Sequence, residues 1–331
     1  MNTHQPFRSF RLAPVLGLVL GLAAACAPAF AQNSLPFKLF DTHAHFVAGD
    51  LERYPIRTDE KANEHARDMR GYLRQRPNTA ERILGAWDAN GVEGGVAVQY
   101  RIAYDTNNNY LLDSAARWPD RITGVVILEP ADPKTPDLLR AIVKDRHAAG
   151  IRMTGPTDLV ADSIPWLDSA AAQNTWAAAN ELGIAVVLLP SEPGGRDVME
   201  RIRKLAEKYP RTRIVLDHFT WPTPEGAPSY GFGPGHLALK SHKNVYYKFS
   251  TLNLESLRKA NIPASDFLRY AIDLYGADHV MWGSDTGNNK MEYADLVRRA
   301  IEASTKLATA EQRQLLHDTG KAVFVGGGRP R

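Results

Sequence analysis

The chain is nearly free of cysteine: Cys26 is the only one in 331 residues. It falls inside an N-terminal leader, so the mature chain is expected to have no disulfide, no thiolate nucleophile and no cysteine-based metal site. Charge of one sign is also scarce, with 40 Lys and Arg against 37 Asp and Glu. Without Arg8 and Arg11 of the leader, 38 basic residues face 37 acidic ones. That balance excludes the basic field on which nucleic-acid or anionic-membrane binding depends. Past the leader there is no Pro/Gly/Ser linker and no low-complexity tract, so residues 32–331 read as one domain. With 44% hydrophobic and 23% charged residues, the composition is that of a soluble globular protein able to bury a full core.

The leader itself reads as a secretory signal peptide over residues 1–31. Arg8 and Arg11 form a positive n-region, Leu12 to Ala25 is uncharged and apolar, and Ala29-Phe30-Ala31 is a small-x-small cleavage site before Gln32. Pro14, Pro28 and the glycines interrupt the apolar run, and a spanning helix needs about 20 strongly apolar residues, so no stable membrane anchor is expected. The mature protein is therefore expected in the periplasm or outside the cell. The alternative is a lipoprotein anchored at Cys26, although Ala23-Ala24-Ala25 lacks the usual leucine upstream.

What the sequence does have is regular alternation. Apolar β-branched runs occur at Lys38–Phe46, Val92–Tyr100, Ile122–Pro130, Gly150–Gly155, Ile184–Pro190, Arg213–Phe219, Val245–Thr251 and His279–Asp285. Amphipathic stretches lie between them, at Asn78–Asn90, Asn109–Trp118, Thr135–Ala149, Gln173–Leu182, Arg196–Tyr209, Pro263–Tyr275 and Glu292–Thr305, with a weaker one at Pro234–His242. Eight strand–helix units without a break predict an α/β fold of a single (β/α)8 TIM barrel. The first connection, Val47 to Pro77, is long and holds an amphipathic piece at Glu64–Leu73. Such an insertion after strand 1 would lie over the C-terminal mouth, as a candidate lid.

Barrel enzymes take their catalytic residues from the C-terminal ends of strands. His43 and His45, two apart in Asp41-Thr-His-Ala-His45, face one region there. Strand six ends in Val215-Leu-Asp-His218 and strand eight in Trp282-Gly-Ser-Asp285. Closure of the barrel brings His43, His45, His218 and Asp285 to one rim. A carboxylate that activates water, beside imidazoles or a metal that stabilise an oxyanion, is hydrolytic machinery. Arg152 ends strand four, where it either forks onto a substrate carboxylate or forms an ion pair within the barrel. Lys248 on strand seven offers a second anion contact or is an ordinary snorkelling lysine. Tyr104 and Asn108 are candidates for orienting substrate. His65, His147, His236, His242, His279 and His317 read as surface or structural, the Gly326–Gly328 run lacks the context of a phosphate loop, and Arg201–Arg213 reads as a solvated helix end.

Phe40-Asp-Thr-His-Ala-His45, Gly150-Ile-Arg152, Val215-Leu-Asp-His218, Tyr246-Tyr-Lys248, Met281-Trp-Gly-Ser-Asp285 and Tyr104-Asp-Thr-Asn-Asn108 together resemble the amidohydrolase superfamily. The likeness covers about Lys38 to Val325, in the amidohydrolase-related branch that contains the 2-pyrone-4,6-dicarboxylate lactonase group. The resemblance implies that Asp285 takes a proton from the attacking water, while His43, His45 and His218 hold a divalent metal or polarise the scissile carbonyl directly. Metal-dependent relatives carry a further histidine at the end of strand five, where this chain reads Val187-Leu-Leu-Pro-Ser-Glu192. That departure favours a metal-free site. It leaves open one divalent ion, Zn²⁺ first, on His43, His45 and Asp285, because three protein ligands and a water suffice for catalytic zinc.

Two further departures concern the substrate. An arginine after the strand-six histidine is replaced by Phe219-Thr-Trp221, and a histidine after the strand-eight aspartate by Thr286-Gly-Asn288. Fewer fixed cations imply a small-molecule substrate with one anionic group or none, such as a monocarboxylate lactone. The expected activity is opening of a lactone or related cyclic ester. A metal-dependent decarboxylase of the same family is the alternative, followed by a non-catalytic periplasmic binding protein; nothing in the sequence indicates an oligomeric state.

Overall fold

A computed structural model describes Met1 and residues 35–58, 62–146, 148–154, 165–190 and 196–326. The chain divides into two compact units, Met1–Gln32 and Asn33–Arg331. Leader residues 2–31, with the cleavage site and Cys26, lie outside the described residues, as do His147, Ser191 and Glu192. Among the described residues, no helix is long and apolar enough to cross a membrane.

Eight strands form the centre of the second unit: β1 Leu39–Ala44, β2 Val92–Val98, β3 Ile122–Ile127, β4 Ala148–Thr154, β5 Ala185–Leu189, β6 Arg213–Leu216, β7 Val245–Ser250 and β8 Val280–Gly283. Each pairs in parallel with the next, in sequence order. The ring closes between β8 and β1 through an Ala44–Thr286 bridge, with His45 N–H donating to Thr286 O at 2.9 Å and Asp285 N–H donating to His43 O at 2.8 Å. This is the expected (β/α)8 barrel. Its strands are apolar almost without alternation, as in Ala185-Val-Val-Leu-Leu189, because both faces are covered.

The helices are α1 Glu64–Gln75, α2 Ala80–Ala89, α3 Arg101–Tyr104, α4 Asn109–Arg117, α5 Thr135–Arg146, α6 Pro165–Asp168, α7 Ala170–Leu182, α8 Arg196–Lys208, α9 Pro234–Ala238, α10 Thr251–Lys259, α11 Ala264–Tyr275, α12 Tyr293–Ala303, α13 Thr309–Arg313 and α14 Thr319–Phe324. Local chemistry starts several of them. Asn63 caps α1 by accepting the Ala66 N–H, and Thr79 caps α2 by accepting that of Arg82. Ser250 and Asn253 form a reciprocal capping box at α10. Sequence periodicity missed the one-turn helices α3 and α6, α10, which follows β7 directly, and the closing pair α13 and α14.

Two apolar layers result. Val96, Val98, Val125, Val187, Val215 and Met281 pack together as one buried cluster, joined by Phe324 of α14. A larger cluster joins the strands to the surrounding helices through Trp87, Trp176, Phe219 and Trp282. The insertion after β1 carries a small core of its own, in which Val47, Ile56, Met69 and Leu73 pack with Tyr100, Ala103 and Tyr104. Helix α1 is thus docked on the segment that follows β2, and Arg70 Nε donates to Ile102 O at 2.7 Å.

Candidate active site

The seam that closes the barrel also assembles the site. Asp285 N–H donates to His43 O, so backbone pairing alone sets these two residues side by side. Asp41, fully buried, ties the seam from the β1 side. Its carboxylate accepts from Ser284 N at 2.8 Å, Ser284 Oγ at 2.6 Å, His43 N at 3.0 Å and Tyr293 Oη at 2.9 Å. Burial raises the Asp41 pKa, and the Ser284, His43 and Tyr293 hydrogen bonds oppose that rise without cancelling it. Gly283 is required for close approach: a Cβ there would stand 2.5 Å from the Cβ of His43. Gly287 has φ of 90°, where L side chains are strained, and a Cβ would lie 2.7 Å from His45 O.

β6 stops at Leu216, three residues short of the end expected from its apolar run, because the backbone changes hand. His218, Phe219, Thr220 and Trp221 have φ of 53°, 56°, 55° and 56°. Four successive non-glycine residues in the left-handed region cost roughly 1–2 kcal/mol each, and such strain collects at functional sites. Packing offsets it. Phe219 is fully buried against Phe232, Tyr247 and Phe267 with centroid distances of 5.6, 5.5 and 5.5 Å. Asn253 Nδ2 donates to His218 O at 2.9 Å, and Trp221 Nε1 donates to Pro190 O at 3.1 Å. His218 Nδ1 lies 2.6 Å from Ser250 Oγ, and the Trp221 ring stands 4.8 Å from its imidazole.

The four sequence-predicted residues meet. His43 Nε2 and His45 Nε2 are 3.3 Å apart, and Asp285 Oδ1 is 3.3 Å from His45 Nε2 and 3.6 Å from His43 Nε2. His218 stacks on His43 at 5.6 Å between centroids, and Tyr100 stacks on His45 at 4.2 Å. His45 Nδ1 lies 2.9 Å from Val98 O. A carbonyl only accepts, so Nδ1 carries a proton, and Nε2 is the nitrogen turned to the cluster. Burial drives His43 well below the ordinary imidazole pKa, and the Lys248 charge adds to this. Burial likewise pushes His218 down to about 4. For Asp285, burial acts to raise the pKa, but contact with His45 and the neighbouring imidazoles outweighs it and holds the carboxyl well below the usual range. Two neutral rings thus face an ionised carboxylate.

Beneath them lies a buried network whose hub, Asp217, sequence reasoning passed over as the residue before His218. Its Oδ2 accepts from Arg152 Nε at 3.0 Å and Nη2 at 2.9 Å, and Lys248 Nζ lies 2.9 Å from Oδ1. Burial would raise Asp217, yet Lys248, His43 and Arg152 bring it well below the carboxylate range. Arg152 therefore turns its fork to Asp217 rather than outward, which is the ion-pair reading. Lys248 is a correction: it is fully buried, with Nζ 3.3 Å from His43 Nδ1, and does not snorkel.

Tyr104 and Asn108 both hold backbone groups. Asn108 donates both amide hydrogens to Thr106 O and Ile127 O and accepts from Ile127 N, which leaves no N–H for a substrate. Tyr104 Oη accepts from Ala48 N at 2.9 Å and pins the start of the insertion. Residues to which the sequence reading gave no role in the site adjoin Asp285: Asn288 Nδ2 donates to its Oδ2 at 3.2 Å, and Tyr100 Oη donates to Asn288 Oδ1 at 2.7 Å. The aromatic residue two beyond Val98 was the available signal.

His43, His45 and Asp285 form the one metal-competent cluster found among the described residues. The triangle of 3.3, 3.3 and 3.6 Å matches one face of a tetrahedron around an ion with roughly 2.0–2.1 Å bonds, whose ligands lie roughly 3.3 Å apart. Asp285 Oδ1 is buried without a hydrogen-bond partner, and His45 has the backbone-bound Nδ1 typical of a ligating histidine. The residues present fit a divalent ion.

Similar proteins agree with this architecture. The L-fucono-1,5-lactonase of Burkholderia ambifaria is 28% identical over 214 residues, covering 63% of this chain and 69% of that protein. A Pseudomonas putida protein assigned as a 2-pyrone-4,6-dicarboxylic acid hydrolase superposes with a TM-score of 0.65 at 23% identity, over 88% of this chain and 98% of its own. A zinc-bound amidohydrolase from Burkholderia multivorans gives 0.65 at 19% identity, over 87% and 99%. At those identities the two structures speak for the fold. A family model described as amidohydrolase matches residues 40–324, and the chain belongs to the amidohydrolase family of enzymes.

Proposed function

We propose that this protein is a hydrolase that opens a lactone, with Asp285 as the base that takes a proton from the attacking water. The observation that carries this is Asp285 Oδ1: ionised, buried, without a hydrogen-bond partner, and 3.3 Å from His45 Nε2 and 3.6 Å from His43 Nε2. An ionised, buried oxygen without a partner in a low-dielectric site needs a donor or a cation beside it. A water placed there gives its proton to Asp285 as it attacks. His218, neutral and held by Ser250, stacks on His43 and is the group to bond the carbonyl oxygen as it gains charge. A zinc ion on His43, His45 and Asp285 would polarise the carbonyl and lower the pKa of a bound water.

The substrate class follows from the fixed charges. Arg152 and Lys248 are both committed to Asp217, so neither is free to grip a carboxylate. This supports an uncharged sugar-type lactone ahead of a monocarboxylate one, and both ahead of a dicarboxylate, in keeping with the likeness to a fuconolactonase. The pattern of residues 1–31 supports export. Proton release measured across aldonolactones, monocarboxylate lactones and a pyrone dicarboxylate tests the reading. The highest kcat/KM is expected on uncharged sugar lactones, and no turnover of any lactone overturns it.

A further inference from the structure

Asp285 has two oxygens, and only Oδ1 faces the histidines. Oδ2 accepts from Asn288 Nδ2 at 3.2 Å. An ionised carboxylate only accepts, so the Asn288 amide must present its N–H₂ to Asp285 and its oxygen away from it. That oxygen has two partners. Tyr100 Oη lies 2.7 Å from it and His65 Nε2 lies 3.1 Å from it. Both must then donate. Burial, together with the Asp285 charge, keeps the Tyr100 phenol protonated by raising its pKa well above the usual value.

The three partners come from separate parts of the chain. Asn288 lies after β8 and Tyr100 after β2, while His65 sits in the first turn of α1, in the insertion. Read from the sequence as surface or structural, His65 is exposed and reaches across to the β8 loop, and Lys290 of that loop pairs with Asp68 of α1 at 2.7 Å. We infer that Asn288 is a positioning residue for Asp285, and that α1 of the insertion completes the site by fixing the Asn288 amide through His65. The inference rests on the role proposed for Asp285.

With the amide fixed, Oδ2 is occupied and Oδ1 alone is turned to the histidines, toward the water or the ion that lies between them. Without it, the carboxylate can rotate and present either oxygen. The effect falls on the chemical step, because none of these groups needs to touch the substrate. Asn288→Ala is expected to lower kcat roughly 10- to 100-fold, the size seen for outer partners of reacting or metal-holding groups, with KM little changed. His65→Leu should lower kcat several-fold, whereas His65→Gln, which keeps an N–H donor, should restore most of it. In the Asn288→Ala background His65→Leu should add nothing, since the two act through one contact.

One readout does not depend on turnover. In ¹⁵N-histidine NMR of the whole protein, wild-type His65 is expected as the Nε2–H tautomer, and Asn288→Ala should shift its ring signals. A His65 signal unmoved by Asn288→Ala overturns the inference even if no lactone is turned over, a result that would count separately against the proposed substrate class. Additive loss of kcat in the double variant, or a change confined to KM, overturns it as well.

Discussion

Lys248 Nζ lies 2.9 Å from Asp217 Oδ1, with both side chains fully buried, and Arg152 occupies the other oxygen of the same carboxylate. One anion thus serves two buried cations. Removing it leaves both without compensation, so Asp217→Asn should destabilise the fold by about 3–5 kcal/mol. Lys248→Met leaves the Arg152–Asp217 pair whole and fills similar volume, so it should cost less than about 2 kcal/mol. Urea denaturation compares them, and a larger loss from Lys248→Met would contradict the placement of Asp217 as hub.

The triangle of His43, His45 and Asp285 predicts about one divalent ion, zinc first, per purified chain by elemental analysis. His45→Ala removes one corner and should abolish occupancy, since three protein ligands are the minimum of a catalytic zinc site. Chelation should then lower lactone turnover, reversibly on adding zinc. A metal-free protein with full activity would assign carbonyl polarisation to the imidazoles directly.

Buried neutral histidines predict acid sensitivity. Burial pushes His218 down to about 4 and lowers His236, which a bond to Phe219 O only partly opposes. Their unfolded values are about 6.5. Because the folded values are the lower ones, the unfolded chain binds protons first as pH falls. The stability these rings confer is complete above about pH 6.5 and is lost as pH falls toward 4, by about 3 kcal/mol for His218 between about pH 7 and 4. His236→Gln keeps a donor for Phe219 O and cannot titrate. It should lose less stability than wild type between about pH 7 and pH 5, as read by denaturant midpoints; an equal loss would show that His236 is not buried neutral.

The barrel was legible because parallel strands covered on both faces must be apolar runs, and eight such runs with helices between them have few other arrangements. His43, His45, His218 and Asp285 were legible because each is a polar residue at the end of such a run. Asp217, Asn288 and Tyr100 were not, since nothing local separates an aspartate that pairs with a strand-four arginine from one that caps a loop. The backbone contacts of Tyr104 and Asn108 were not legible for the converse reason: polar residues after β2 look exposed until backbone groups claim them. The hand change at His218–Trp221 has no signal in Phe-Thr-Trp, which elsewhere would extend a strand. It is imposed by burial of Phe219.

The central claim is that Asp285 activates the water. Asp285→Asn preserves shape and the Asn288 side of the residue while removing the base, and general-base catalysis contributes about 10²–10⁴-fold. Proton release from the best lactone, measured for wild type and Asp285→Asn at matched metal content and with thermal midpoints in hand, tests it. The account predicts a loss of kcat of at least about a hundredfold in a folded protein; Asp285→Asn with full activity would contradict it.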